Sequence, residues 1–383
     1  MSEKLELRAA TAPGEWAAMQ ALLPDPAEAT LHRSSPRYRP SLTRIALRGD
    51  VVVGCALLSH RRVRLGASVL DVGDVTRIAT LGDDATLHEA LLLDSVGTFY
   101  AEGLPFARVL RADPRYTPYG FAPVLHTQQV VLEASPSALG LPLRAAQPDD
   151  LDDLAAIVDA NADAALLTEL RGPPDWRFWL ANQPMVLVLE DSRGRVSAYA
   201  ALSGSMVVRE AAAVDAGAAR DLCAALQVWA AQQGLAQVVM RTSLSQAVGR
   251  AALQLGGAAH VQAATALQPD SALYGVVDLA GALTALSPVL ELRLARSRYA
   301  SWSGHIRFEL DSERITLAFT YGHAALLDGS EPADVRLRNV TLAGFVQLVL
   351  GYRSAADLRA TGALQCDDTA LGLLDAIFPP LPF

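Results

Sequence analysis

Residues whose type and spacing indicate a nucleophile are rare in this sequence. Ser303, in the segment 302–305 (WSGH), suggests a nucleophile, but it precedes a regular strand pattern and has no partner that the sequence identifies. We therefore interpret Ser303 as a turn serine. The motifs G-x-x-x-x-G-K-[ST], G-x-G-x-x-G and G-x-S-x-G are absent from the sequence, so it gives no indication of a phosphate-binding loop of these types or of a serine-hydrolase elbow.

The sequence also lacks the closely spaced histidines and cysteines that are typical of a metal site. The seven histidines form no HxxxH pattern, and the three cysteines (Cys55, Cys223 and Cys366) lie far apart. A structural zinc site needs closely spaced ligands. We therefore expect no metal and three thiols in a reducing cytoplasm.

Composition narrows the function classes further. The chain has 383 residues, 51% hydrophobic and 19% charged, which predicts two or three domains with a large core and excludes a disordered chain. The net charge of −9 argues against nucleic acid as a partner and fits a cationic substrate better. No apolar run reaches the roughly 18 residues of a membrane span, and no secretory signal is visible, so we expect a cytoplasmic protein without a membrane partner.

An internal sequence repeat divides the chain. The segment 5–10 (LELRAA) precedes a helix start at Pro13, and the segment 141–146 (LPLRAA) precedes an Asp-capped apolar helix. The downstream order of strands and helices agrees in both copies, which predicts two related mixed α/β units. In the first copy the predicted elements are strands 43–48 and 51–59 around the Gly49-Asp50 turn, strand 68–80, helix 84–102, strand 106–110 and a final strand 124–132.

The second copy repeats this order, and a third segment differs. The predicted elements of the second copy are strands 185–190, 196–202 and 206–209, helix 216–233, strand 236–241 and helix 247–255. From about residue 273, Ile306 and Phe308 alternate with polar residues before a turn, and Ile315 and Leu317 alternate after it, which predicts a hairpin with one buried face. A helix is predicted over 341–352, and the proline-rich tail that ends at Phe383 is predicted to be extended.

One segment carries a resemblance to a known family. The residues 103–107 (GLPFA) and 115–123 (RYTPYGFAP) resemble the Y-x-x-[FY]-G-[FY]-x-P segment of tandem GNAT acetyltransferases of the enhanced-intracellular-survival type. The resemblance covers the whole chain. It implies an α/β (α+β) fold with two GNAT-like mixed-sheet domains, 1–138 and 139–270, the second degenerate, and a sterol carrier protein-like domain, 271–383.

The resemblance also implies an activity, which is acetyl transfer from acetyl-CoA to a primary amine of a small molecule or peptide, in a homo-oligomer. Tyr116 would then be the acid that protonates the departing thiolate, since a phenol with a pKa of about 10 can donate to a thiolate. The α-carboxylate of Phe383 would enter the active site, where it would accept an ammonium proton through water or orient the amine. The acetyl-CoA contacts would lie at Ile78, Ala79, Thr80 and Thr86.

The sequence departs from the family at the pyrophosphate loop. The segment 82–88 (GDDATLH) carries Asp83 and Asp84 where the family has arginines, and Thr86 and His88 replace loop glycines. Two carboxylates cap a helix well but repel a pyrophosphate. The alternative is therefore an eroded GNAT-fold protein with a binding or scaffold role, and a third possibility is a lipid-binding terminal domain.

A second departure concerns the acceptor side. Amine-binding relatives have an acidic residue before the terminal one, where this chain has Pro382. Asp25 and Glu28, in a segment predicted to be a loop, could supply negative charge instead, although isolated loop carboxylates are usually only solvated.

Overall fold

A computed structural model describes residues 4–110, 113–124, 127–137, 140–161, 167–262, 272–310 and 313–380. The contacts divide these residues into two compact units. Unit 1 runs to Val63, from Ala67 to Val124 and from residue 272 to Pro380, and unit 2 holds Arg64–Gly66 and the described residues from 127 to 262. The boundaries after residues 138 and 270 stay a prediction.

The first part of the chain alternates strands and helices as expected. Its elements are β1 (Leu5–Ala9), α1 (Pro13–Leu22), α2 (Pro26–Ser34), β2 (Arg44–Arg48), β3 (Val51–Leu65), β4 (Ser68–Thr80), α3 (Ala85–Ala101), β5 (Phe106–Leu110) and β6 (Ala122–Pro123). The Gly49-Asp50 turn between β2 and β3 is confirmed. A 3-10 helix, Pro114–Tyr119, lies between β5 and β6.

The middle part carries the elements of unit 2. They are β7 (Thr127–Glu133), β8 (Arg144–Ala145), α4 (Leu151–Asn161), β9 (Thr168–Leu170), α5 (Pro173–Asn182), β10 (Met185–Glu190), β11 (Val196–Leu202), β12 (Val208–Ala213), α6 (Ala216–Gln232), β13 (Gln237–Arg241), α7 (Ala247–Gln254) and β14 (Ala258–Gln262). The α6 helix begins where Asp215 accepts a hydrogen bond from the Ala218 amide at 2.8 Å, and its alanine- and leucine-rich face is buried in the unit 2 core.

The last part returns to unit 1. Its elements are β15 (Ala272–Val276), α8 (Leu279–Ala295), β16 (Gly304–Leu310), β17 (Glu313–Thr320), β18 (His323–Asp328), β19 (Val335–Leu337), α9 (Leu342–Val349), α10 (Ala355–Ala360) and α11 (Asp368–Ile377). The predicted hairpin is confirmed: Ile306 pairs with Leu317 and Phe308 with Ile315, and all four side chains are buried. This four-stranded sheet has the order β18-β17-β16-β19.

The main sheets of the two units have matching strand orders. In unit 1 the order is β1-β2-β3-β4-β5-β15-β6, and in unit 2 it is β8-β10-β11-β12-β13-β7-β14. In each sheet the fourth and fifth strands, β4 and β5 or β12 and β13, run parallel. The strands on either side of β15 and β7 run antiparallel to them. The structure is therefore mixed α/β, as predicted.

One strand lies in a different sheet from the predicted one. The predicted strand 124–132 is β7, and it lies between β13 and β14 in unit 2, whereas β15 takes the corresponding place in unit 1. Residue alternation identifies a strand but not its partners, because pairing is decided by contacts far apart in sequence. Within the described part of the chain, no helix is long and apolar enough to cross a membrane.

Candidate functional site

The parallel pair of unit 1 opens at its carboxyl end. The β4–β5 register runs from Val72–Phe106 to Val75–Val109, and β4 then continues to Thr80. After β5 the chain enters the 3-10 helix that begins at Pro114. A proline has no N–H for a sheet ladder, so this segment leaves the sheet while β4 stays beside β3.

A cavity of about 300 Å³ lies at this opening. Leu22 and Pro24, at and just after the end of α1, form part of its wall. The rest of the wall comes from the end of β4, the turn after it, the N-terminal part of α3, the end of β5 and the segment after β5. The residues from these elements are Val75, Arg77, Ile78, Ala79, Thr80, Asp83, His88, Leu110, Asp113, Arg115 and Tyr116. Within the described residues, the β5 side of β4 has no ladder partner beyond Val75, so its backbone groups there are available to a bound molecule.

Helix α3 forms one wall because it packs tightly on β4. A Cβ atom at Gly73 of β4 would lie 2.4 Å from the ring of Phe99 in α3, so only glycine allows this approach. The connection from β4 uses a left-handed turn, with φ of 70° at Gly82 and 51° at Asp83. Together these features bring the second turn of α3, with His88, into the cavity wall.

Tyr116 is a buried wall residue. Its ring packs against Phe121, with centroids 6.1 Å apart, and its hydroxyl lies 3.0 Å from Nε2 of His88. The 3-10 helix that carries it begins at Asp113, whose carboxylate accepts a hydrogen bond from the Arg115 amide at 2.9 Å. Burial is the main cause that raises the pKa of Tyr116, to about 12, so the group is a neutral phenol at pH 7.

His88 is buried on the inner face of α3. Burial is the largest cause that lowers the pKa of His88, followed by the positive charge of Arg115. The imidazole is therefore neutral at pH 7, with one nitrogen as a donor and the other as an acceptor. The sequence carried a signal for this residue, because Leu87, Leu91 and Leu92 place His88 on an apolar helix stripe.

The two carboxylates of the β4–α3 turn have separate roles. Asp84 is the N-cap of α3, with Oδ1 accepting from the Leu87 amide at 3.1 Å and Oδ2 3.5 Å from Arg48 Nη2. This confirms the capping interpretation for Asp84. Asp83 lines the cavity and accepts a hydrogen bond from Arg115 Nη1 at 3.2 Å. Arg115 also donates from Nε to Asp113 at 2.9 Å.

The acceptor side differs from the loop expected around Asp25 and Glu28. Asp25 caps α2, and Glu28 lies inside that helix, since a proline after an N-cap residue is a helix-start signal. Glu28 Oε2 lies 3.7 Å from Arg77 Nε, which places a carboxylate beside a cavity arginine. Arg77 Nε and Thr80 Oγ1 are shut off from solvent and have no hydrogen bond to any residue that the structure describes.

The structure collects most of the predicted site residues at one cavity. Ile78, Ala79, Thr80 and Tyr116 all line it, whereas Thr86 is exposed in the first turn of α3 and is not among the wall residues. Phe383 lies outside the described residues. The functions of all the site residues that the sequence analysis named stay a prediction. His88, Arg77, Arg115 and Asp113 are wall residues that the sequence analysis did not assign to the site.

An acyl thioester on a pantetheine arm fits the open end of the β4–β5 pair, which offers backbone groups over Thr76–Thr80. The diphosphate group of such a donor fits the N-terminus of α3 less well. The N-terminus of α3 already has its Leu87 amide bonded to Asp84, so that donor is not free to bind a phosphate. Arg48 and Arg115 are the described arginines that lie beside this turn.

No family model and no curated protein matches the sequence. Solved structures do match. A GCN5-related N-acetyltransferase from Kribbella flavida has a TM-score of 0.75 and 16% identity, covering 100% of this chain and 97% of its own. One from Anabaena variabilis has a TM-score of 0.73 and 13% identity, covering 99% and 98%. Eis1 from Mycobacterium abscessus has a TM-score of 0.64 and 16% identity, again covering 99% and 98%.

This chain has the fold of these GCN5-related N-acetyltransferases. The identities are too low to transfer an activity, since one fold hosts many functions. No group of three or more metal-ligating side chains occurs in the ranges that the structure describes.

Proposed function

We propose that the chain is an N-acyltransferase that moves an acetyl group from acetyl-CoA to a primary amine of a small molecule or peptide. The observation that carries the proposal is the open end of the β4–β5 pair with Tyr116 in its wall. The fold shared with GCN5-related N-acetyltransferases supports it.

The chain's residues have distinct roles in this reaction. Backbone groups of Ile78, Ala79 and Thr80 hold the thioester and its pantetheine arm, and backbone N–H groups stabilise the negative charge that develops on the carbonyl oxygen. Tyr116 gives its hydroxyl proton to the departing sulfur as the C–S bond breaks.

The proposal includes the domain organisation that the resemblance implies. The matching strand orders of the two main sheets support tandem GNAT-like domains, for which the resemblance gives the bounds 1–138 and 139–270. The β16–β19 sheet, whose Phe308 packs against Phe345 of α9 and against Phe378, supports a separate sterol-carrier-like layer within 271–383. The same resemblance supports a homo-oligomer, which light scattering of the full chain would measure.

The test measures donor binding and turnover separately. Calorimetric titration of acetyl-CoA into the full chain should give saturable binding, and a panel of primary amines should release free thiol in an absorbance assay. Mass spectrometry of the acceptor should show the added acetyl group. Absence of heat at hundreds of micromolar acetyl-CoA would exclude the enzyme as proposed.

A second candidate is an eroded GNAT-fold protein that binds a partner or serves as a scaffold. The carboxylate of Asp83 in the cavity wall favours it, because this charge repels a diphosphate at the place where the fold binds one. Under this alternative, acetyl-CoA does not bind, and the chain transfers no acetyl group whether or not Tyr116 is substituted.

A further inference from the structure

The contact between His88 and Tyr116 joins helix α3 to the 3-10 helix that follows β5. The imidazole Nε2 and the phenol oxygen are 3.0 Å apart, and both side chains are buried. The two ring centroids are 5.5 Å apart at an interplanar angle of 41°, so the rings also pack against each other. This is a fixed contact of the cavity wall and not a surface pairing.

The other ring nitrogen of His88 faces a different environment. Nδ1 has no hydrogen-bond partner in the part of the chain that the structure describes, and it is not among the polar atoms that are shut off from solvent. His88 lines the cavity, so its Nε2 faces the Tyr116 hydroxyl while its Nδ1 is accessible to solvent.

Tyr116 alone is a weak acid for the proposed reaction. Burial, followed by the negative charge of Asp113, raises the pKa of its phenol to about 12. An ordinary thiol has a pKa of about 8.5, so proton transfer from an isolated Tyr116 to a thiolate is unfavourable by about 3.5 pKa units. The transfer therefore needs a group that neutralises the phenolate as it forms.

The charges around His88 keep its imidazole suited to that task. Arg115 and Arg77 lower its pKa and Asp113 and Asp83 raise it, while burial lowers it most. These groups come from β4, from the turn after it and from the segment after β5. A neutral imidazole can accept a proton on one nitrogen while it donates from the other.

We propose that His88 relays a proton from cavity water to Tyr116 during acyl transfer, an inference that rests on the proposed function. As the amine nitrogen bonds to the acyl carbon and the C–S bond breaks, the electron pair goes to sulfur and the Tyr116 proton follows it. The Nε2 proton of His88 moves to the phenol oxygen. Nδ1 takes up the proton that the amine nitrogen released to cavity water.

The proton count closes over one turnover. One proton leaves the nitrogen of the acceptor and one reaches the sulfur of the donor, while Tyr116 and His88 stay neutral. The imidazole ends with its proton on Nδ1 and accepts from the restored phenol at Nε2. The relay resets when the phenol proton passes to Nε2, Tyr116 takes a proton from cavity water and Nδ1 releases one to it. His88 acts through Tyr116, so it is a positioning residue and not a group that contacts the reacting atoms.

The kinetic test uses His88→Gln, whose amide can hydrogen-bond Tyr116 but cannot pass a proton through. We expect kcat to fall on the order of 100-fold with little change in KM, since positioned proton transfer contributes 10² or more. In mixtures of H2O and D2O, the wild-type rate should depend on deuterium content with the curvature of more than one moving proton. The His88→Gln rate should give a straight line. His32→Gln, a buried histidine outside the cavity wall, is the matched control and should keep the curvature.

A second readout does not need turnover. In ¹⁵N spectra of the full chain, His88 should be neutral at pH 7, and Tyr116→Phe should shift its Nε2 resonance. This measurement decides the question even where His88→Gln fails to fold. A charged His88 at pH 7, or a resonance that ignores Tyr116→Phe, overturns the relay.

The outcomes separate the two proposals. A wild-type chain that transfers no acetyl group to any amine overturns the proposed function and with it the relay in turnover. An active wild type with a His88→Gln variant of equal kcat overturns the relay alone and leaves Tyr116 as a sufficient acid. An active wild type with a slow, single-proton His88→Gln variant supports both.

Discussion

The hydroxyl of Tyr116 lies 3.0 Å from Nε2 of His88, although 28 positions separate the two residues in the sequence. One residue sits in α3 and the other in the 3-10 helix after β5. The contact exists because β4 and β5 pair only as far as Val75 and then separate. The local chemistry of the cavity is thus a result of where one strand pair ends.

Removing the phenol oxygen tests its role as an acid. Tyr116→Phe keeps the ring that packs against Phe121, so the fold should be retained. We expect kcat for acetyl transfer to fall at least about 100-fold with KM for acetyl-CoA unchanged, because the proton is delivered only in the transition state. Tyr119→Phe, in the same 3-10 helix but outside the cavity wall, is the control and should keep full activity. Equal rates for the two variants would remove Tyr116 from the mechanism.

Neutralising one turn carboxylate tests the diphosphate end of the cavity. Asp83→Asn leaves Arg115 with Asp113 as its described acidic partner and removes a negative charge from the wall. Two charges 4 Å apart in water interact by about 1 kcal/mol, so we expect the Kd for acetyl-CoA to fall by at most about fivefold at low salt. Calorimetry at two salt concentrations measures this, with the exposed Asp50→Asn as the control. A Kd that does not respond would place the diphosphate away from this turn.

The close approach of α3 to β4 leads to a prediction about the free energy of unfolding. At Gly73 an added methyl group would meet the Phe99 ring at 2.4 Å, whereas at Gly97 of α3 nothing lies within 4 Å. Gly73→Ala should therefore lower the free energy of unfolding by about 1–3 kcal/mol through overpacking. Gly97→Ala should raise it by up to about 1 kcal/mol, because alanine favours a helix. Urea denaturation compares the two, and a neutral Gly73→Ala would mean that the helix can shift outwards without loss.

His32 makes unit 1 sensitive to acid. Burial lowers its pKa to about 4, and its Nε2 lies 3.4 Å from Thr43 Oγ1. The folded pKa is below the unfolded one, so the unfolded chain binds the proton first as the pH falls. This contribution to stability is complete above about pH 6.5 and is lost as the pH falls through the folded value, up to about 3 kcal/mol. Unfolding of His32→Gln at pH 7, 5.5 and 4 should show a flatter dependence than the wild type, and equal slopes would mean that another group titrates.

Local patterns predicted the elements well because their causes are local. The Gly49-Asp50 hairpin and the alternation around Ile306 and Phe308 depend on turn chemistry and on one buried face, both of which neighbouring residues determine. The Asp84 cap likewise follows from a side chain next to the first amides of α3.

The failures involve contacts that are distant in sequence. Strand β7 was expected in the first unit, but its partners are β13 and β14, which follow it by roughly a hundred residues. His88 was noted only as a replaced loop glycine, because its role depends on Tyr116 and on the end of the β4–β5 ladder. Neither relationship can be predicted from a short window of sequence.

The place of β15 between β5 and β6 has a consequence for synthesis. The described residues of unit 2 from 127 to 262 leave the ribosome before Ala272–Val276, so unit 2 can finish folding while the sheet begun first still lacks a strand. This reverses the usual order in which the amino-terminal part of a nascent chain folds first. Until β15 is synthesised, the edge of β5 lacks its partner strand, and an open strand edge can pair with other chains.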